Sequence, residues 1–369
     1  MDLLSDLRQE GRHEDYSHQE IALKARRRYA KAVLLGRVST SLKKPLARAI
    51  YSVHMTFWQR IALSLATGYA LFFYSERMFW SFLRQDDAIF FLVIAWILYS
   101  IFAYLFLYTI GYFKVRTLSA LFLAGVAFGW IVEGIYAMTF FGIAGIPLPY
   151  SIIWTGVAWH ALISVVIGWY FLYRSMVQRS YAHTIGLASL LGLFWGIWAV
   201  AWALETPPLF STPTAFIVHA FLTTILFGGA LWVTSRTGLA SFTPGRWEAG
   251  VVLGVTALYF LLVTFPTVQF ASLILIAAFG LLFALLYRNR KSETIEPQPT
   301  VLAVFDERAR SGKYLCLLAM PLVASVSYIG ANALGIVLIS NIITLFVSSI
   351  VGTIVLIVSA YRIVRRKGH

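Results

Sequence analysis

The feature that most constrains this chain is a succession of apolar runs, each about 20 residues long. Such a run, folded as an α-helix, spans the ~30 Å hydrocarbon core of a bilayer, because each residue adds about 1.5 Å. The runs are continuous rather than alternating, which argues against a transmembrane β-barrel. Since 59% of the 369 residues are hydrophobic and 12% are charged, the sequence predicts an all-α, polytopic transmembrane helical bundle.

Ten apolar spans can be drawn along the chain, with both termini on the same side. The predicted spans cover residues 61–83, 88–112, 118–143, 151–173, 184–204, 214–235, 249–265, 268–287, 314–334 and 336–361. These spans predict four regions. They are a basic amphipathic N-terminal segment at 1–57, an eight-helix transmembrane core at 58–290, a linker at 291–312 and a terminal transmembrane hairpin with a basic tail at 313–369.

The basic residues indicate an orientation. With the N-terminus in the cytoplasm, all of the 30 lysines and arginines except Arg77 and Arg84 fall in segments on the cytoplasmic side. The positive-inside rule therefore predicts a multi-pass protein of the cell membrane with both termini and the linker in the cytoplasm. The net charge of +14 follows this distribution. It favours the lipid bilayer and its anionic headgroups as partners and argues against nucleic acid.

Few ionisable side chains interrupt the apolar runs. The acidic and histidine side chains among them are Glu76, Glu133, His160 and His219 inside predicted spans, and Glu205 at the edge of one. All five fall in the outer half of the bilayer, and Glu133 and His160 match in depth at roughly 15 and 14 Å below the outer ends of their helices. Because an unpaired charge there costs several kcal/mol, Glu133, His160, His219 and Glu76 are the predicted site residues, with Glu133 and His160 as a pair.

Structural roles for these residues remain open from the sequence. Glu76 can form an ordinary ion pair with Arg77 or Arg84. His219 can serve as a hydrogen-bonding residue between packed helices. Glu133 can be a buried carboxylate held by a serine or tyrosine hydroxyl.

A family resemblance is carried by four stretches of the chain. They are "VEGIYAM" with Glu133, "WTGVAWH" ending in His160, "LFWGIWAVAW", and "HAFLT" beginning with His219. In this order they resemble the CAAX-prenyl-protease and bacteriocin-processing (CPBP) family of intramembrane glutamate proteases, over residues 118–235. The resemblance implies that Glu133 activates water and that His160 and His219 support the oxyanion.

The chain also departs from the pattern of that family. Gly134 stands where the second glutamate of the motif would be, and the arginine that should end this motif is absent. Ala199 replaces a histidine, and Thr223 replaces an asparagine. The site also faces outward in the predicted orientation, whereas prenyl-protein processing requires access from the inner face.

Three functions follow as alternatives. The first is an intramembrane hydrolase acting on a lipid or membrane peptide, with Glu133 as general base or metal ligand. The second is a proton-coupled secondary transporter that uses Glu133 and His160 as its coupling pair. The third is a non-catalytic membrane scaffold or assembly partner that docks through segment 1–57. No helix carries two ligands at i, i+4 spacing, so the sequence assigns neither a metal nor a cofactor.

Overall fold

The computed structural model describes residues 55–79, 89–143, 145–201, 212–239, 242–291, 301–336 and 338–365. The chain divides into two compact units, Met1–Phe57 and Trp58–His369, and nearly all described residues belong to the second. Most of the predicted amphipathic segment, much of the linker, Arg84 and Glu205 lie outside the described residues.

The described part of the chain is helical and contains no β-strand. Its α-helices are α1 (Phe57–Phe72), α2 (Ile89–Tyr112), α3 (Leu118–Trp130), α4 (Leu172–Gln178), α5 (Tyr181–Ala199), α6 (Pro213–Thr237), α7 (Arg246–Tyr259), α8 (Phe265–Val268), α9 (Ser272–Lys291), α10 (Ser311–Leu315), α11 (Ala319–Ala333) and α12 (Leu338–Arg365). Its π-helices are Phe73–Met78, Ile131–Tyr136, Ile152–Phe171 and Phe260–Thr264. Short 3₁₀ turns lie at Thr139–Phe141, Gln269–Ala271, Val301–Asp306 and Cys316–Leu318.

Within the described ranges, eight helices are long and apolar enough to cross a membrane. The chain is therefore an apolar, all-helical protein of the multi-pass membrane class. Ten spans were predicted, and two regions of the chain account for the difference. The helix Phe57–Met78 is not one of the eight, and Arg246–Lys291 forms one 46-residue element where two spans were predicted. At about 69 Å, that element exceeds the bilayer thickness, and the backbone turns within it at Gln269, whose φ is 49°.

The third predicted span, 118–143, ends earlier than expected. The helix formed by α3 and its π-helical continuation stops at Tyr136. Met138 then takes a left-handed conformation with φ 60°, which reverses the direction of the chain. The 3₁₀ turn and an isolated bridge between Ile143 and Ile146 follow. Glu133 therefore lies within one turn of a helix end, not deep within a longer helix.

Close helix crossings form the centre of the bundle. A Cβ on Gly129 of α3 would lie 2.4 Å from the carbonyl oxygen of Gly156, and a Cβ on Gly192 of α5 would lie 2.2 Å from that of Met320 in α11. Only a residue without a side chain permits such backbone contact, which is a common way for membrane helices to pack. The first crossing positions the ionisable residues.

Candidate active site

The crossing of α3 with the π-helix Ile152–Phe171 brings Glu133 and His160 together. Glu133 lies four positions after Gly129, and His160 lies four positions after Gly156. These two glycines allow the two helices to approach each other closely. The Nε2 atom of His160 lies 2.5 Å from Oε1 of Glu133. The pairing that matching depth predicted is therefore present as a direct contact, while its functional role remains a prediction.

The second oxygen of the Glu133 carboxylate is also engaged. The turn at Met138 returns the chain toward the helix, and the Thr139 hydroxyl donates a hydrogen bond to Glu133 Oε2. This contact was not predicted from the sequence, because Thr139 was expected to continue the helix. The loop residue thus fixes the carboxylate from the side opposite the imidazole.

The other ring nitrogen of His160 contacts the helix that follows α1. Its Nδ1 lies 2.9 Å from the Ser75 hydroxyl, and that hydroxyl lies 3.4 Å from the Ser164 hydroxyl. Ser164 in turn donates to the backbone carbonyl of Trp159. Hydrogen bonds therefore run from Thr139 through Glu133 and His160 to Ser75, and the Ser164 hydroxyl lies beside Ser75 at the end of this series. These five side chains are called the polar chain below.

The proton positions in the polar chain follow from its partners. If Glu133 is ionised, it accepts from the His160 Nε2–H, and the unprotonated Nδ1 then accepts from the Ser75 hydroxyl. Every ring nitrogen and both carboxylate oxygens then have a partner, which satisfies the requirement for polar groups within a membrane. The edge of the Phe128 ring packs against the imidazole with 5.4 Å between centroids and further restricts its orientation.

Three of the predicted site residues share an unusual backbone. Glu76 lies on the π-helix Phe73–Met78, Glu133 on Ile131–Tyr136 and His160 on Ile152–Phe171. A π-helix bonds i to i+5, which widens the turn, and such segments occur frequently at functional sites. Three helices thus depart from α-geometry where they meet at the polar chain.

Exposure differs along the polar chain. The Glu133 side chain is 14% exposed and that of His160 only 2%. Ser75 and Ser164 are buried, whereas Thr139 is half-buried. The polar chain therefore has a partly exposed edge at Glu133 and Thr139, called the open edge below, and a buried end at Ser164.

Glu76 lies beside the polar chain with a different partner. The Tyr99 hydroxyl donates to Glu76 Oε1 at 2.7 Å. Glu76 also interacts electrostatically with Glu133, Arg77 and His160. Glu76 thus lies near the predicted pair, and its neighbour Ser75 is the residue that contacts His160.

His219 occupies a separate environment. Its Nε2 lies 3.1 Å from the backbone carbonyl oxygen of Arg77, and its ring meets the edge of Trp195 with 6.0 Å between centroids. Among the contacts of the described residues, none joins His219 to Glu133 or His160. Predicted depth placed His219 in the same half of the bundle as the pair, but depth does not specify the face of a helix.

Sequence reasoning missed the hydroxyl members of the polar chain, Ser75, Thr139 and Ser164. The adjacency of Ser75 to Glu76 was the available signal, whereas Thr139 depends on the turn at Met138. Over the described ranges, no group of three or more His, Cys, Asp or Glu side chains is arranged to hold a metal ion.

No family model matches this chain, and neither a curated protein nor a solved structure matches it. The class defined by the fold is that of an apolar, multi-pass helical membrane protein. The chemistry of Glu133, His160 and Ser75 is accordingly interpreted from their own contacts.

Proposed function

We propose that the protein is an intramembrane hydrolase that cleaves a lipid ester or a membrane peptide, with Glu133 as general base. The observation that supports this role most is the position of Glu133 at the open edge of the polar chain, 2.5 Å from His160. The carboxylate is reachable while its orientation is fixed on both sides. Because the site lies among membrane-spanning helices, its substrate comes from the membrane itself.

The proposed reaction uses the spare lone pairs of the carboxylate. Each oxygen of Glu133 accepts one bond from Thr139 or His160 and can accept a second from water. Glu133 takes a proton as the water oxygen attacks the substrate carbonyl, and it returns that proton to the leaving alcohol or amine. His160 contributes its Nε2–H to the carboxylate, and Ser75 holds the ring in that tautomer. Glu133 is therefore the catalytic base, and His160 and Ser75 are positioning residues.

The extent of the polar chain favours hydrolysis over transport. Beyond Ser164 the bonds end at the Trp159 carbonyl, and the next buried side chains on that helix are Val165 and Val166. A proton carrier needs a path through the membrane, whereas a hydrolase needs only a local base. Transport is the second candidate because the Glu133–His160 contact can share a proton. Solute uptake in vesicles that follows a pH gradient, and fails in Glu133→Gln, would favour it.

The test compares isosteric variants of the full chain in lipid nanodiscs. Substrates are a fluorogenic phospholipid ester and an internally quenched transmembrane peptide. Glu133→Gln keeps the size of the side chain and removes the base, so hydrolysis should fall at least about 100-fold. The matched control is Glu307→Gln, the same change near Gln178, which should hydrolyse like the wild type. An active Glu133→Gln variant, or a wild type that cleaves neither substrate class, would overturn the proposal.

The variant Ser75→Ala tests whether Ser75 orients His160 or attacks the substrate itself. If Ser75 only orients His160, Ser75→Ala should keep part of the activity, and a fluorophosphonate probe should not label the wild type. If Ser75 attacks the substrate, the variant should be inactive and the wild type should be labelled. The second result would preserve hydrolysis but move the catalytic role from Glu133 to Ser75.

We also propose the cell membrane as the location, with both termini in the cytoplasm and the polar chain toward the outer face. The asymmetry of the lysines and arginines supports this orientation. The single cysteine, Cys316, is buried. A maleimide should therefore label only a cysteine that is introduced by substitution. In intact cells an impermeant maleimide should label Tyr150→Cys and spare Arg310→Cys. The reverse pattern would invert the topology.

A further inference from the structure

A cavity lies at the end of the bundle far from the polar chain. Its volume is about 440 Å³, within the range of small-molecule sites. It lies between α6 and the segment that leads into α11. Arg236, which lines it, is 17 residues along α6 from His219, or about 25 Å. The lining consists of Thr224, Ile225, Gly228, Gly229, Trp232, Ser235, Arg236, Arg308, Ala309, Ser311, Tyr314, Leu315, Leu317 and Leu318.

One part of this cavity is basic and rich in hydroxyl groups. Arg236 and Arg308 are exposed, and the Arg236 guanidinium lies 5.1 Å from the ring centroid of Trp232. The Ser235 and Tyr314 hydroxyls lie 3.4 Å apart. The described lining includes no acidic side chain. Two guanidinium groups beside the Tyr314 hydroxyl supply the positive charge and the hydrogen-bond donors that a phosphate group requires.

The other part of the cavity is apolar. Leu317 and Leu318 face Gly228 and Gly229 of α6 across it. A Cβ placed on Gly229 would meet no atom within 4 Å, and one on Gly228 would meet only Leu317 Cδ1 at 3.6 Å. The two glycines therefore leave a bare stretch of helix backbone. Trp232, 49% exposed, lies between this stretch and the arginines, as aromatic residues do at headgroup level.

We propose that this cavity binds one anionic phospholipid. Arg236 and Arg308 hold its phosphate with help from the hydroxyls of Ser311 and Tyr314, and one acyl chain lies against Gly228 and Gly229. The basic part alone is suited to any phosphate. A lipid is the occupant because the arginines continue directly into an apolar wall on a membrane-embedded helix. The site is independent of the proposed hydrolysis.

Binding is measured by native mass spectrometry of the delipidated full chain in detergent. The probes are phosphatidylglycerol and phosphatidylcholine with identical acyl chains, and inorganic phosphate is the competitor. The wild type should bind phosphatidylglycerol in preference to phosphatidylcholine. Arg236→Gln/Arg308→Gln should bind it at least about tenfold more weakly. The control Arg246→Gln/Arg362→Gln, with the same charge change outside the cavity, should bind like the wild type.

The apolar wall has its own matched pair. Gly229→Leu fills the space for the acyl chain, and Gly250→Leu adds the same side chain at another position with no atom within 4 Å. Both variants should fold, as judged by size exclusion, but only Gly229→Leu should lose phosphatidylglycerol, again by about tenfold. Unchanged lipid binding in Gly229→Leu together with displacement by inorganic phosphate would indicate a free-anion site and overturn the proposal. Equal binding of both lipids, or wild-type binding by the double arginine variant, would also overturn it.

Discussion

The regions around His160 and His219 each contain a buried histidine but differ in the groups that contact it. Both histidines are buried, and both lie near the π-helix Phe73–Met78. His160 uses both ring nitrogens, one toward a carboxylate and one toward a serine hydroxyl. His219 has one contact to a backbone carbonyl and an aromatic neighbour. A titratable partner makes the first region capable of proton transfer, whereas the second region connects two helices.

This difference shows that burial alone does not identify a functional histidine. A neutral imidazole that donates to a backbone oxygen has no group with which to exchange a proton. The carboxylate beside His160 supplies one, and it also reaches the open edge. The two regions should therefore respond differently to substitution, both in stability and in activity.

Truncation of Glu133 should have the largest effect on stability. Glu133→Ala leaves the His160 Nε2–H and the Thr139 hydroxyl without an acceptor in a mostly buried site. The loss of one partner from such a pair typically costs about 3 kcal/mol. Thermal and denaturant unfolding in detergent micelles would measure it, with Glu307→Ala as the control. A loss as small as that of Glu307→Ala would show that the polar chain contributes little to the fold.

Substitution of His219 should have an intermediate effect that depends on the replacement. His219→Leu removes the donor to the Arg77 carbonyl and should lower the free energy of unfolding by about 1 kcal/mol. His219→Gln keeps an amide donor and should lose less. Unfolding in detergent and the two hydrolysis assays would be measured on both variants. Because His219 does not contact the polar chain, both should hydrolyse within about threefold of the wild type.

Loss of hydrolysis in both folded His219 variants would contradict this separation. It would instead support the role that the family resemblance implies for His219, that of a group near the oxyanion. In that case α6, which carries His219, would have to move toward Glu133 during the reaction.

The sequence predicted the helical class and the Glu133–His160 pair for a physical reason. Charged groups in apolar runs are so costly that their positions are informative. The depth of Glu133 calculated from the rise per residue was too large, because its helix ends at Tyr136 and not at residue 143. Helix rotation has no comparable signature, so the partners Ser75 and Ser164 were not predicted. The early end of the third span was missed because residues 137–141 are as apolar as a helix interior, while the turn depends on the conformation of Met138.

The smallest effect should come from the contact that the sequence could not predict. Thr139→Val keeps the shape of the side chain and removes its hydroxyl, so Glu133 Oε2 loses one donor but stays at the open edge, where water can replace it. The expected loss of stability is about 0.6 kcal/mol, the average for such bonds in a membrane protein. Hydrolysis should fall more than this loss suggests, because a carboxylate fixed from one side only is a less well-oriented base.

Unfolding in detergent and the phospholipid ester assay would measure the two quantities for Thr139→Val. The control is Thr267→Val, which removes an exposed hydroxyl bonded within its own helix. Full activity in Thr139→Val would show that His160 alone orients Glu133 and that the turn at Met138 serves the fold and not the site.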